Sequence, residues 1–208
     1  MKCVSRLAAL GFAVLFCALL TSRPAAAAVT VYDNLGNGNN GFFGIGPNAW
    51  LAERFKSDAT NLKITDVTIR LTAQTPGPYS LDLYSDVAGV PGAPLANLFT
   101  GNTAGGDIHY SVNALTAPST TYWIVANSPA GAVINSGWGT TSILSGTGAG
   151  FFPLVAMANN QGATWSARGD VVQQMTVIAN TVPEPGSAAL LGIAALAAVP
   201  RRRNRRGA

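Results

Sequence analysis

Between residues 29 and 181 this 208-residue chain has no cysteine, because Cys3 and Cys17 both lie near the N-terminus. The absence excludes disulfides, thiolate nucleophiles and cysteine-held metals from the middle of the chain. Histidine is almost as scarce: His109 is the only one, so zinc bound by its usual ligands is excluded as well. Helical periodicity is missing too, since no middle window of eleven or more residues carries an apolar stripe recurring every ~3.6 residues. Basic residues are thin there. Arg54, Lys56, Lys63, Arg70 and Arg168 face Asp33, Glu53, Asp58, Asp66, Asp82, Asp86, Asp107 and Asp170, a balance of −3, although the whole chain is +4. Nucleic-acid binding needs Lys and Arg clustered on one face to displace counterions from phosphates. No such cluster exists in the middle.

The missing positive charge sits at the two ends. Lys2 and Arg6 precede the apolar run Leu7–Leu20, a polar break at Thr21–Pro24 and the small residues Ala25–Ala28. Charge, apolar core and Ala-x-Ala are the three parts of a secretory signal, with Ala26 and Ala28 in the small pockets and cleavage expected after Ala28. The run is short of the roughly 20 residues of a spanning helix. Cys17 is a poor lipoprotein cysteine, because bulky Phe16 stands before it where a small residue is wanted. At the other end, Pro183-Glu184-Pro185 forms a rigid break. An apolar segment over 187–200 and the cluster Arg201, Arg202, Arg203, Arg205 and Arg206 follow it. Arginines next to an apolar segment stay cytoplasmic, so the domain before them faces outward.

Pro-Glu-Pro, apolar segment and terminal arginines, in that order over about 26 residues, resemble the PEP-CTERM sorting signal. The resemblance implies processing by signal peptidase and by an exosortase, an integral-membrane cysteine protease. It implies membrane contact through the tail, and delivery to the cell surface or exopolysaccharide matrix of a Gram-negative bacterium. The expected division is therefore 1–28 signal, 29–181 extracellular domain and 182–208 sorting tail.

The middle reads as strands. Leu62–Leu71 and Tyr79–Tyr84 alternate apolar with polar residues, and Thr120–Ala126 and Val171–Ile178 are short β-branched or aromatic runs. Turn signals at Thr75–Pro78, Gly89–Gly92, Thr103–Asp107 and Ser145–Gly150 separate them. This pattern predicts an all-β, antiparallel, jelly-roll-like β-sandwich flanked by an N-terminal signal helix and a short C-terminal apolar helix, with a closed barrel as the alternative. Leu81-Asp82-Leu83-Tyr84-Ser85-Asp86, Gly89, Pro91-Gly92, Leu115-Thr116-Ala117 and Thr121-Tyr122-Trp123 resemble the choice-of-anchor domains, notably type R. That resemblance brings no catalytic residue with it.

Candidate chemistry is sparse. Asp107 and His109 share one face of a strand, the wet one, and no Gly-x-Ser-x-Gly elbow accompanies them. Glu53 would need an aspartate across a cleft to hydrolyse a glycoside. Asp33, Asn37 and Asn39 supply oxygen ligands at calcium-like spacing, but Leu35 interrupts the pattern and no glutamate closes it, so a generic Asn/Gly turn is the favoured reading. Asp82 with Asp86 is a second candidate of that kind. No cofactor is implied. Of four tryptophans, Trp123 reads as core, whereas Trp138 and Trp165 lie in looser polar sequence and are the candidates for exposed, sugar-stacking rings. The expected function is that of a non-enzymatic surface or matrix protein, with carbohydrate binding and hydrolysis as the alternatives.

Overall fold

The computed structural model describes residues 27–182 except 61, 76–77, 103 and 130–134. The expected signal and tail helices lie outside the described residues, as do Ala26, Pro183, Glu184, Pro185, Arg201, Arg202, Arg203, Arg205 and Arg206. Among the described residues there is no helix long and apolar enough to cross a membrane.

The described chain is all-β, two antiparallel sheets packed as a sandwich. One seven-stranded sheet contains β1 (Ala28–Asp33), β2 (Gly41–Ile45), β4 (Leu62–Thr75), β7 (Gly106–Thr116), β9 (Asn135–Thr141), β12 (Val172–Gln173) and β13 (Met175–Thr181). The six-stranded sheet runs β11 (Ser166–Arg168), β10 (Val155–Ala158), β3 (Trp50–Lys56), β8 (Thr121–Asn127), β5 (Pro78–Val87) and β6 (Val90–Asn102).

Period-two alternation decides what lies between the sheets. Leu62, Ile64, Val67, Ile69 and Leu71 of β4 are buried, while Lys63, Asp66, Thr68 and Arg70 point away. Leu51 and Phe55 of β3, Leu81 and Leu83 of β5, Trp138 of β9 and Val177 of β13 meet them in one core. Fully burying a side chain of this size contributes roughly 1.5–3 kcal/mol. The β5–β6 hairpin turns at Ala88 and Gly89, both at positive φ (55° and 85°). That is the pair of left-handed residues a two-residue hairpin loop needs to match strand twist. Val90, Pro91 and Gly92 therefore belong to β6 rather than to the turn expected over 89–92.

One flank of the sandwich is closed by a glycine strap, the segment expected as a plain turn. Thr147 exchanges two backbone hydrogen bonds with Asp33 of β1, and the N–H groups of Ala149 and Gly150 donate to Thr30 and Val31. The same Gly150 then accepts from Lys56 of β3. A Cβ on Gly146, Gly148 or Gly150 would stand 2.4, 2.4 and 1.6 Å from the carbonyl oxygens of Asp33, Val31 and Lys56. The alternating glycines let one backbone bond to both sheets at once.

The pairings also fix which parts share an end. Ala28 pairs with Asn180 and Thr181 with Leu62, which pairs with Thr116. After a short turn, Thr121 pairs with Lys56. Trp50, paired with Ala158, starts β3 at the opposite end.

Candidate functional site

Strand β3 alternates Leu51, Glu53 and Phe55 inward with Trp50, Ala52 and Arg54 outward. Its inward glutamate is fully buried. Glu53 accepts the hydroxyl of Tyr32 at 2.8 Å and the backbone N–H of Gln173 at 2.8 Å. Asn34 donates to the Tyr32 oxygen and to the carbonyl of Gln173, and accepts from the N–H of Met175. Burial pushes the Glu53 carboxyl well above its usual range; the bonds from Gln173, Tyr32 and Leu154, and the charge of Arg54, oppose that shift. Hydrogen bonds from backbone and side-chain donors satisfy the buried carboxyl oxygens and hold the group in place. Glu53 thus ties the two sheets together rather than facing a cleft.

The outer face of the six-stranded sheet is aromatic. Trp123 stands between Arg54 and Tyr84 as their cross-strand neighbour, and its indole N–H donates to Asp86 at 2.8 Å. Arg54 lies 5.8 Å from the Trp123 ring and 3.8 Å from the Phe152 ring, within cation–π range. Asp82 accepts from Asn97 and Asn127, both at 2.7 Å. Ala52, Tyr84, Trp123, Val125 and Ala156 form a second apolar cluster, with Trp50, Leu154 and Trp165 packed against it. Trp123 is buried, as its apolar run predicts, but on this outer face and not between the sheets.

At the far end of that cluster the β10–β11 loop builds a cavity of about 190 Å³ lined by Met157, Asn159, Asn160, Thr164, Trp165 and Ser166. Its walls fold locally. Asn160 accepts the Thr164 N–H at 2.9 Å and donates to the Thr164 hydroxyl at 2.7 Å. Gln161 and Gly162 sit at positive φ (60° and 77°), and Ala163 donates back to Asn160. Gly162 packs on the face of Trp50, where a Cβ would lie 2.6 Å from the ring. Gln161 reaches Asn48 at 3.2 Å. The indole N–H of Trp50 is buried with no partner among the described residues.

Other sequence candidates separate. Trp138, expected as an exposed ring, is fully buried in the main core and donates to the Gln174 carbonyl at 2.8 Å. It presents no face to a ligand, whereas Trp165 lines the cavity of the β10–β11 loop. Asp107 and His109 share the outer face of the seven-stranded sheet but have different partners: Asp107 pairs with Arg70 at 2.7 Å, and His109 with Asp66 at 2.8 Å. Asp33 accepts from Leu35 and Thr176, Asn37 donates to the carbonyls of Ile143 and Ser145, and Asn39 accepts from Gly41. No partner is shared among these three side chains. Ala28 is exposed at the start of β1.

No protein-family model and no curated protein matches the sequence. Two solved structures are similar over 84% of this chain, which spans 48% of theirs: infectious bursal disease virus Gx strain at 12% identity and Gt strain at 9%. Both superpose with a TM-score of 0.27. The sandwich rests on its own strand pairings.

Proposed function

We propose that the chain is an exported, non-enzymatic protein of the cell surface or extracellular matrix, delivered by its two terminal signals. The Pro183-Glu184-Pro185 break, the apolar segment over 187–200 and the arginines of 201–206, in that order, carry the reading. Signal peptidase and an exosortase are its processing enzymes, and exopolysaccharide is its surroundings. The domain between is read as jelly-roll-like in its winding. Its acids hold structure: Glu53 bonds across the sandwich, and Asp33, Asp66, Asp82, Asp86, Asp107 and Asp170 each engage a neighbouring group.

Cleavage after Ala28 fits the strand that follows, because it removes the outermost pair of β1, Ala28 with Asn180, and the bond from the Thr181 N–H to the Ala27 carbonyl, and leaves the remaining pairs of β1 in place. Mass spectrometry of the termini, on protein taken from its native host, tests the proposal. An N-terminus at Val29 and loss of Arg201–Arg206 are expected. Recovery of both termini intact from the cytoplasm overturns it.

A second reading has its own support. The half-buried ring of Trp165 beside uncharged polar side chains favours carbohydrate binding as the domain's activity.

A further inference from the structure

We infer that the Trp165 cavity is a subsite for one neutral pyranose unit of a glycan, held by stacking on the indole and by uncharged hydrogen-bonding groups. The inference rests on the carbohydrate-binding reading and gives it a place and a ligand class. A pyranose presents an apolar C–H face and a rim of hydroxyls that donate and accept. The cavity offers the complement. Trp165 and Met157 are half-buried and supply apolar surface, while Asn159, Asn160, Thr164 and Ser166 are exposed and supply amides and hydroxyls.

Two features make the site selective. None of its six lining residues carries a charge, so neither a phosphate nor a uronate finds a counter-ion there. Asn160 and Thr164 are already bonded to each other, which fixes their orientation before any ligand arrives. Asn159 and Ser166 have side chains without a hydrogen-bond partner among the described residues, so their polar groups are available to hydroxyls. A few convergent polar groups beside an aromatic surface are the usual composition of a small-molecule site.

Size sets the ligand. At about 190 Å³, the cavity is smaller than the roughly 300–1,000 Å³ of pockets that engulf drug-sized molecules. It suits one ring of a longer chain, or a chain end.

The test is saturation-transfer NMR and tryptophan fluorescence on the full chain. Its probes are methyl glycosides of glucose, galactose, mannose and xylose, with glucitol and adenosine as comparisons. At least one pyranoside is expected to bind saturably through its ring C–H protons. Glucitol, which has hydroxyls but no ring face, is expected not to bind. Trp165→Ala should weaken binding at least about tenfold through loss of the stacking surface. Asn159→Ala and Ser166→Ala, at exposed positions that leave the fold's circular dichroism unchanged, should each weaken it about three- to tenfold, the effect of one neutral hydrogen bond. Saturable pyranoside binding that these three variants leave unchanged overturns this site while sparing the carbohydrate reading. Absence of binding by every pyranoside overturns both. Tighter binding of adenosine than of any pyranoside replaces the sugar with a flat heteroaromatic ligand.

Discussion

The carboxylate of Glu53 and the hydroxyl of Tyr32 meet at 2.8 Å inside the sandwich, joining β3 of one sheet to β1 of the other. The bond is one of several that let a fully buried acid persist between apolar layers. An acid in this position costs desolvation, so both its truncation and the loss of its proton are expected to lower stability.

Glu53→Ala should destabilise strongly, by about 3–5 kcal/mol, because the Tyr32 hydroxyl and the Gln173 N–H lose a buried acceptor together with the packing of the side chain. Glu53→Gln keeps the shape and one acceptor oxygen, and should cost about 1–3 kcal/mol. Urea unfolding at neutral pH checks both. Equal, near-zero effects would mean that water replaces the carboxylate at no cost.

The pH dependence has a definite sign. Burial raises the folded-state pKa of Glu53 above its unfolded value of about 4.3. Above that unfolded value the native chain binds more proton than the unfolded one, so this group's contribution to stability falls as pH rises. The fall begins near pH 4.3, continues up to the folded-state pKa at no more than about 1.4 kcal/mol per pH unit, and then stops. Glu53→Gln lacks it. The stability of the native chain relative to Glu53→Gln should therefore drop between pH 5 and pH 8, read from unfolding midpoints in parallel buffers. A difference that stays constant across that range contradicts the raised pKa.

Gly150→Ala should be among the most damaging single methyl additions, since its Cβ would stand 1.6 Å from the Lys56 carbonyl oxygen. The strap must lift from β1, β3 or both, at a cost of at least about 3 kcal/mol. At Gly36 and Gly38 an added methyl would meet nothing within 4 Å, and neither residue has a positive φ. Alanine at either should be neutral or stabilise by about 0.4–1 kcal/mol through the unfolded chain. Thermal melting of the three variants separates a close approach from a merely permissive loop.

Much of this architecture is legible in the sequence, and the misses have physical reasons. Alternation places β4 and β5, but Glu53 reads in sequence only as a lone glutamate that could serve a cleft, and it is the fold that sets it inward on β3. What alternation does not show is which groups answer that carboxylate, because Tyr32 and Gln173 lie 21 and 120 residues away. Ser136-Gly137-Trp138-Gly139 resembles a polar loop and is a crowded strand instead. A Cβ on Gly137 would stand 2.9 Å from Phe42, and one on Gly139 would stand 3.0 Å from Arg70. Glycine marks close approach there, not a turn. Ser145–Gly150 misleads in the same way, its alternating glycines signalling contact with two sheets. The Trp165 cavity is only half visible in sequence: Trp165 can be picked out as an aromatic in polar surroundings, but the bonded pair Asn160 and Thr164 needs the folded loop.

The exposed ion pair of Arg70 with Asp107 should contribute little. The Arg70 guanidinium holds the Asp107 carboxyl below its usual range, so the pair's contribution is present above the ordinary aspartate pKa of about 3.9 and is lost as pH falls through the lower folded-state value. Solvent screens an exposed pair, so Arg70→Ala should cost no more than about 1 kcal/mol near neutral pH and less still in high salt. Chemical unfolding with and without added salt measures this, and a loss above about 2 kcal/mol would give the pair a larger role than its exposure permits.

Trp138 and Trp50 make the sharpest comparison, because the same substitution removes a satisfied donor from one and an unsatisfied donor from the other. The Trp138 indole N–H donates to the Gln174 carbonyl at 2.8 Å, and its ring fills the main core with no exposed surface. Trp138→Phe therefore loses a buried hydrogen bond, leaves the Gln174 carbonyl without that partner and opens a cavity, for a combined cost of about 2–4 kcal/mol. The Trp50 indole N–H is buried with no partner among the described residues. Trp50→Phe sheds that unsatisfied donor, which offsets the volume lost beneath Gly162, and its cost should stay below about 1.5 kcal/mol. Equilibrium unfolding of both variants gives the two values directly. An equal loss in both would mean that ring volume alone governs, and a larger loss at Trp50 would show that its N–H has an acceptor in solution.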